Sequence, residues 1–316
     1  MGSAVFKTVE GATSSLAGSI PVRLRSSRVR GSIPPGMTSI YVSVDMEGIG
    51  GITTVRQTTR GTDDYAWARL LMTQEANAAA EGAFDGGADV VVVSDSHGDM
   101  GNLLPHELDG RIELVQGTPK LPWSMMAGID AGFAGAVFVG YHAGAGTRDA
   151  ILDHTYTGWL ADVRVNGESW NETHLNAALA GTFDVPVLVV AGDRACCEQA
   201  EARLPWVRTV ATKRGFGNRA GRSRSPRSVR EELRSTVGEA VKFAERAEVW
   251  RPSGPYRLEV DVTSTALADI LAVAPGTDRV DVRTLRFETD DLRTLYRAVL
   301  TWMNLGRRVA PGAAIE

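Results

Sequence analysis

Val90-Val91-Val92-Val93-Ser94-Asp95-Ser96-His97-Gly98 is the stretch whose reading decides the fold. Four β-branched residues without a polar interruption read as a strand buried on both faces, the habit of parallel sheets. The run then breaks into a short polar turn that delivers a histidine. The same grammar recurs in Ala136-Val137-Phe138-Val139-Gly140-Tyr141-His142-Ala143-Gly144, and a third apolar run closes on Ser43-Val44-Asp45-Met46-Glu47-Gly48. Parallel sheets bind ligands beyond the carboxyl ends of their strands. Three strand ends therefore offer Asp45 with Glu47, His97 and His142 to one rim. Residues i and i+2 of a strand share a face, so Asp45 and Glu47 are expected side by side, and buried like charges that close need a cation.

From Met37 the chain alternates strand and helix. Strands are expected at residues 38–45, 90–93, 112–115, 137–139 and 187–191, and helices at 63–83, 125–132 and 172–180, the first with an apolar face of Trp67, Leu70, Leu71 and Ala78. Such alternation implies βαβ units and the α/β class: a mostly parallel, three-layer, Rossmann-like sheet domain. Near residue 211 the character changes. Residues 213–230 are basic and glycine-rich and read as a mobile loop. Beyond them a helix (228–248), strand (256–262), helix (264–272), two strands (279–284, 285–288) and a final helix (290–305) suggest a smaller C-terminal α+β domain without histidine or cysteine. The expected organisation is a metal-binding catalytic domain over 37–211 and, over 212–316, a domain for scaffold, assembly or substrate selection. Residues 1–36 are rich in Ser, Gly and Arg, hold no acid after Glu10 and end in Pro34-Pro35-Gly36. They read as a disordered leader, too polar for the core of a secretory signal.

The 316 residues carry 38 acids against 34 Lys and Arg, a net charge of -4, which leaves no electrostatic footprint for nucleic acid or an anionic membrane. No apolar stretch approaches the ~20 residues that span a bilayer. The two cysteines, Cys196 and Cys197, are adjacent; this excludes a disulfide framework and a Cys-x-x-Cys zinc site and fits a reducing cytoplasm. They read as small buried hydrophobes.

Between the second histidine turn and the helix at 172 lies a dense polar stretch, Asp149-Ala150-Ile151-Leu152-Asp153-His154-Thr155-Tyr156-Thr157-Gly158, followed by Val165-Asn166-Gly167-Glu168-Ser169-Trp170-Asn171-Glu172. Asn166-Gly167 is a strong two-residue hairpin signal. Asn171 is well placed to cap a helix, and an acid at Glu172 is favoured by the helix dipole alone.

Taken in order, these motifs resemble the M55 peptidases, the zinc-dependent D-aminopeptidases. The resemblance covers essentially Met37 to the C-terminus. It rests on Ser43-Val44-Asp45-Met46-Glu47-Gly48, Asp95-Ser96-His97 with Met100 and Asn102-Leu103, Gly140-Tyr141-His142-Ala143, His154, and Asn166-Gly167 followed by Glu172 and Asn176-Ala177. It implies metal ligands at Asp45, Glu47, His97, His142 and Glu172 around two zinc ions per subunit, with Asp45 as the bridge, and a catalytic histidine at His154. It also implies short peptide substrates with an N-terminal D-residue, such as D-Ala-D-Ala, and a homodecamer with sites facing an inner channel. The segment from His142 to His154 is slightly longer than the family pattern, and Trp159 and Trp170 are expected to reshape the pocket.

Imidazole with carboxylate suits zinc, and two such ions would activate water and polarise a scissile carbonyl. His154, free of metal, would shuttle a proton to the leaving amine or stabilise the oxyanion. Asp95 is expected to orient His97 through its other ring nitrogen. His106 reads as a loop residue, and His174, two positions after Glu172, does not share its helical face. Two other classes use similar ligands: a dinuclear phosphoesterase, whose frequent Gly-Asn-His segment is missing here, and a non-catalytic metal-dependent binding or assembly protein.

Overall fold

The computed structural model describes residues 36–309. β1 (Ser39–Val44) leads through a glycine-rich turn to the short α1 (Val55–Thr58), then α2 (Asp63–Asp85), β2 (Val90–Asp95), β3 (Ile112–Val115) and β4 (Gly135–Tyr141). β5 (Leu160–Val165) and β6 (Glu168–Ser169) form a hairpin before α3 (Glu172–Gly181). β7 (Val187–Asp193), α4 (Arg194–Arg203), β8 (Arg208–Gly215), β9 (Gly221–Ser223) and α5 (Pro226–Lys242) follow. β10 (Tyr256–Val262), α6 (Thr265–Leu271), β11 (Asp278–Asp281), β12 (Thr284–Thr289) and α7 (Leu292–Gly306) complete the described chain.

The large sheet has the order β3-β2-β1-β4-β7-β8-β9. Its first six members are parallel, and β9 is antiparallel to β8. The fold is thus the expected α/β class with a mostly parallel sheet. β1, β2, β4 and β7 are buried almost end to end, because helical layers cover both faces. On one face Ile40, Val42, Val44, Val91, Val93, Val137 and Val139 pack with α2 and α5. On the other, Tyr41, Val92, Phe138 and Val190 pack with α3, α4 and the elements of the second sheet. Chain order reverses between β1 and β4: β2 and β3 build outward on one side, and β7 and β8 on the other. The carboxyl ends of β1 and β4 flank this switch point, where open sheets of this kind leave a crevice.

Of the face expected on α2, Ala78 is buried and Leu70 and Leu71 are half-buried, but the stripe that faces the core is a different one. Tyr65, Ala68, Met72, Ala76, Ala79 and Ala83 face the core at i, i+3, i+4 spacing, while Trp67 is exposed. Alanine prevails because α5 packs close against α2; even Gly82 lies against the Arg234 backbone. The segment expected as a helix over 125–132 is a single 3-10 turn, Ser124–Met126.

The second sheet, β11-β12-β10-β5-β6, is antiparallel and carries α6 and α7. The Asn166-Gly167 signal is realised as the β5–β6 turn, with φ of 53° and 85°, the doubly positive conformation that such two-residue turns require. β8 runs through residue 211, and β5 and β6 from ahead of it join the second sheet, so the two sheets exchange segments across that position. All the described residues belong to one compact unit. The basic stretch 213–230 is not a loose loop: it holds the end of β8, all of β9 and the start of α5. The leader expected over 1–36 lies, apart from Gly36, outside the described residues. No helix among the described residues is long and apolar enough to cross a membrane.

Candidate metal centre and active site

Asp45 and Glu47 follow β1 in a turn rather than in the strand itself. The turn is stitched to β4 by Asp45 N–H donating to the Val139 carbonyl (2.8 Å) and Gly48 N–H donating to the Gly140 carbonyl (2.7 Å). A Cβ on Gly48 would overlap the Tyr141 carbonyl oxygen, so only glycine lets the backbone cross β4 this closely. Below the turn, buried Lys213 of β8 donates from Nζ to the carbonyls of Glu47, Ile49 (2.8 Å) and Ile52 (2.5 Å). Burial pushes its amine down to about 8. Sequence reading assigned Lys213 to a solvated loop; its place is legible only once β8 is seen to pass under the turn.

The structure brings all six residues singled out in the sequence into one cluster, with Asp45, Glu47, His142 and Glu172 buried and His97 and His154 half-buried. His97 Nδ1 lies 3.0 Å from Glu47 Oε2 and 3.3 Å from Asp45 Oδ1. His142 Nε2 lies 3.3 Å from both Asp45 Oδ2 and Glu172 Oε1, and His154 Nε2 is 3.9 Å from Glu172 Oε1. The His142 and His154 rings stack at 4.0 Å. Asp45 therefore turns one oxygen to each of two groups, Asp45–Glu47–His97 and His142–His154–Glu172, each compact enough to surround an ion.

The donor set fits a metal. Each imidazole bonds a backbone carbonyl with one nitrogen: His97 Nε2 to Thr58 (2.9 Å), His142 Nδ1 to Ala143 (3.1 Å) and His154 Nδ1 to Leu152 (2.8 Å). Carbonyls only accept, so these nitrogens carry the protons and the second nitrogen of each ring faces the carboxylates. Asp45 Oδ2 and His142 Nε2, both buried, have no hydrogen-bond partner, which is costly for groups out of water unless something joins them.

The electrostatics agree. Burial and the Glu47 charge push Asp45 above the ordinary carboxylate range, against the pull of His142 and His97. Burial opposes the charge on Glu47 and Glu172 too, but the neighbouring imidazoles outweigh it and hold both low. Burial opposes the charge on His97 and His142 as well, yet the facing carboxylates hold both well above the usual histidine value. A divalent cation would take over the charge balance those ring protons provide.

The supporting residues were only partly legible. Asp95 does not orient His97. It accepts hydrogen bonds from Asn102 Nδ2 (2.7 Å) and from the backbone N–H groups of Asn102 and Leu103, which folds the loop carrying His97, and the Thr58 carbonyl orients the ring instead. Tyr156 N–H donates to Glu172 Oε1 (2.6 Å), and its hydroxyl joins a network with Asn176 and Tyr296. Asn176 in turn donates to the Tyr141 hydroxyl, which meets Ser43. Asp149, Leu152 and Tyr156 all adopt positive φ, strain that a surrounding structure sustains where a loop must aim its side chains. His174 caps α3, accepting from Asn171 N–H and donating to the Gln199 carbonyl, and burial pushes it down to about 4. His106 is exposed. Cys196 and Cys197 are free and buried. Trp159 and Trp170 are core residues and do not line the cleft.

Above the cluster lies a cleft of about 360 Å³, whose lining includes Thr58, Thr59, His97, Tyr156, Met303 and Arg307. The C-terminal elements, expected to serve as scaffold, in assembly or in substrate selection, furnish Met303 and Arg307 of this lining. A family model of the M55 peptidases, described as D-aminopeptidase, matches residues 38–301. The chain belongs to the M55 D-aminopeptidase family. An M55 relative, the D-aminopeptidase of Bacillus subtilis, is 34% identical over 272 residues, 86% of this chain and 98% of that protein. A solved M55 structure, the Zn-dependent D-aminopeptidase DppA from Bacillus subtilis, described as a self-compartmentalizing protease, superposes with a TM-score of 0.83. It is 33% identical and covers 86% of this chain and 99% of its own. Membership of the M55 family makes the chain a peptidase.

Proposed function

We propose that the protein is a zinc-dependent D-aminopeptidase that binds two zinc ions per subunit and removes the N-terminal residue from short peptides such as D-Ala-D-Ala. The observation that carries the reading is the position of Asp45, whose two oxygens face two separate ligand groups 3.3 Å away on either side. In this reading Asp45, Glu47, His97, His142 and Glu172 would hold the ions. When bound, the metals supply Lewis acidity toward the scissile carbonyl and acidify the attacking water.

The protein's own groups do the rest. His154 donates from Nδ1 to the Leu152 carbonyl, which leaves Nε2 as a base at the cleft floor. It takes a proton from the attacking water and hands it to the leaving amine. Tyr156 holds Glu172 through its backbone N–H. A second reading follows from the closeness of His154 to His142 and Glu172, which makes His154 a ligand rather than a free base; metal content of a His154 variant separates the two. The family relationship supports self-assembly, for which we adopt a homodecamer, and two free buried cysteines suit the cytoplasm.

The test is metal analysis of the purified protein, with hydrolysis of D-Ala-p-nitroanilide and L-Ala-p-nitroanilide before and after chelation. Two zinc per chain and chelator-sensitive, D-selective release are expected. Release that is indifferent to chelation, or L-selective, refutes the reading.

A further inference from the structure

The cleft is asymmetric in charge. Its floor holds the carboxylates of Asp45, Glu47 and Glu172, all buried. Arg307, exposed at the mouth, is the only Lys or Arg among the described residues that lines it. Its position is set by α7. Tyr296, Leu300, Met303 and Arg307 follow one another at steps of four, three and four and so share a helical face. Tyr296 is tied to the site wall through Asn176 and Tyr156, and Met303 lines the cleft. Arg293 on the same helix is engaged by Thr182, and Arg297 by Thr294 and Asp291. Arg307 makes no side-chain hydrogen bond or ion pair among the described residues. A cation at a helix C-terminus is favoured by the dipole alone, but that does not require it to line a cleft.

We propose that Arg307 binds the C-terminal carboxylate of short peptide substrates and so makes the enzyme select free-acid peptides over capped ones. This deepens the aminopeptidase reading and rests on it. A short peptide whose N-terminal amide bond sits at the floor carries its carboxylate a residue or so further along, at about 3.8 Å per Cα step, towards the mouth. A guanidinium offers that carboxylate a paired, planar set of donors that an ammonium cannot match. The neutral Thr58, Thr59 and Ser124 along the walls give the carboxylate no competing charge.

The experiment compares kcat/KM for D-alanyl-D-alanine and D-alanyl-D-alaninamide with the zinc-loaded full chain, for the wild type, Arg307→Ala, Arg307→Lys and Arg308→Ala. The acid-to-amide ratio should fall about tenfold in Arg307→Ala, as expected for a charge-assisted pair at a partly solvated site. The fall should reside in KM for the acid. Arg307→Lys should restore part of the ratio, and Arg308→Ala, next in sequence but outside the lining, should leave it unchanged. An equal loss on both substrates, no change on either, or an equal fall in Arg308→Ala overturns the carboxylate contact while leaving the aminopeptidase reading intact. Failure of the wild type to cleave either substrate overturns that reading and the proposal with it.

Discussion

Glu75 provides a direct test of how burial is balanced beneath the turn that follows β1. It lies on α2, fully buried, with Oε1 accepting from Gly50 N–H (2.8 Å) and Oε2 without a partner. Burial pushes its carboxyl from the ordinary 4.5 up to about 7, against the opposing pull of the Gly50 hydrogen bond and of the Lys213 and Arg230 charges. The sign follows from proton counting. Between these two values the folded protein keeps a proton that the unfolded chain has lost, so stability is full below pH 4.5 and falls as pH rises towards 7. The interval corresponds to about 3 kcal/mol. Glu75→Gln keeps an oxygen for Gly50 and removes the titration. Relative to wild type, the variant should lie within about 1 kcal/mol at pH 4.5 and be more stable by about 3 kcal/mol at pH 8. The assay is denaturant unfolding of both proteins from pH 4.5 to 8.5, at one metal content and one protein concentration, since ligand and assembly also shift stability. Stability curves that stay parallel across this range would refute the reasoning, because they would mean that Glu75 ionises in the fold as easily as in the unfolded chain.

Three further outcomes are expected. His154→Ala should keep its zinc and lose turnover by about 10²- to 10⁴-fold; loss of metal in elemental analysis would instead make His154 a ligand. Gly48→Ala forces a methyl into the Tyr141 carbonyl, where backbone cannot yield. It should cost about 3 kcal/mol or more, read as a fall in melting temperature together with weaker zinc retention. Lys213→Met leaves the carbonyls of Glu47, Ile49 and Ile52 unpaired beneath the turn and should cost roughly 3 kcal/mol. If zinc affinity by competitive chelation is unchanged in Lys213→Met, the turn does not depend on that anchor.

What the sequence determined by itself is local. Uninterrupted valine runs such as Val90 to Val93 are stable only where both faces of a strand are covered, so they announced a parallel sheet, and the chemistry-bearing residues sat where those runs ended. Asn166-Gly167 announced its hairpin because few other pairs accept two positive φ values. Asp45, Glu47, His97 and His142 were legible for the same reason: strand ends are marked by an abrupt change of polarity. Glu172 and His154 were not, since an acid in a first helical turn and a histidine in a polar loop have ordinary explanations, and only family resemblance singled them out.

Tertiary structure decided what depends on close approach between distant segments. No pattern within α2 could reveal that α5 packs near enough to make alanine its buried residue. Nothing in residues 213–230 shows that Lys213 passes under the turn after β1, because a lysine's burial is set by the backbone oxygens that surround it and not by its neighbours in sequence. Thr58 acts on His97 through a carbonyl, a group every residue carries and no side-chain pattern encodes. Arg307 reaches the cleft because α7, some 260 residues after Asp45 in the chain, packs against α3. Periodicity reports which face of an element is buried; which partner covers it is settled only when the whole chain closes on itself.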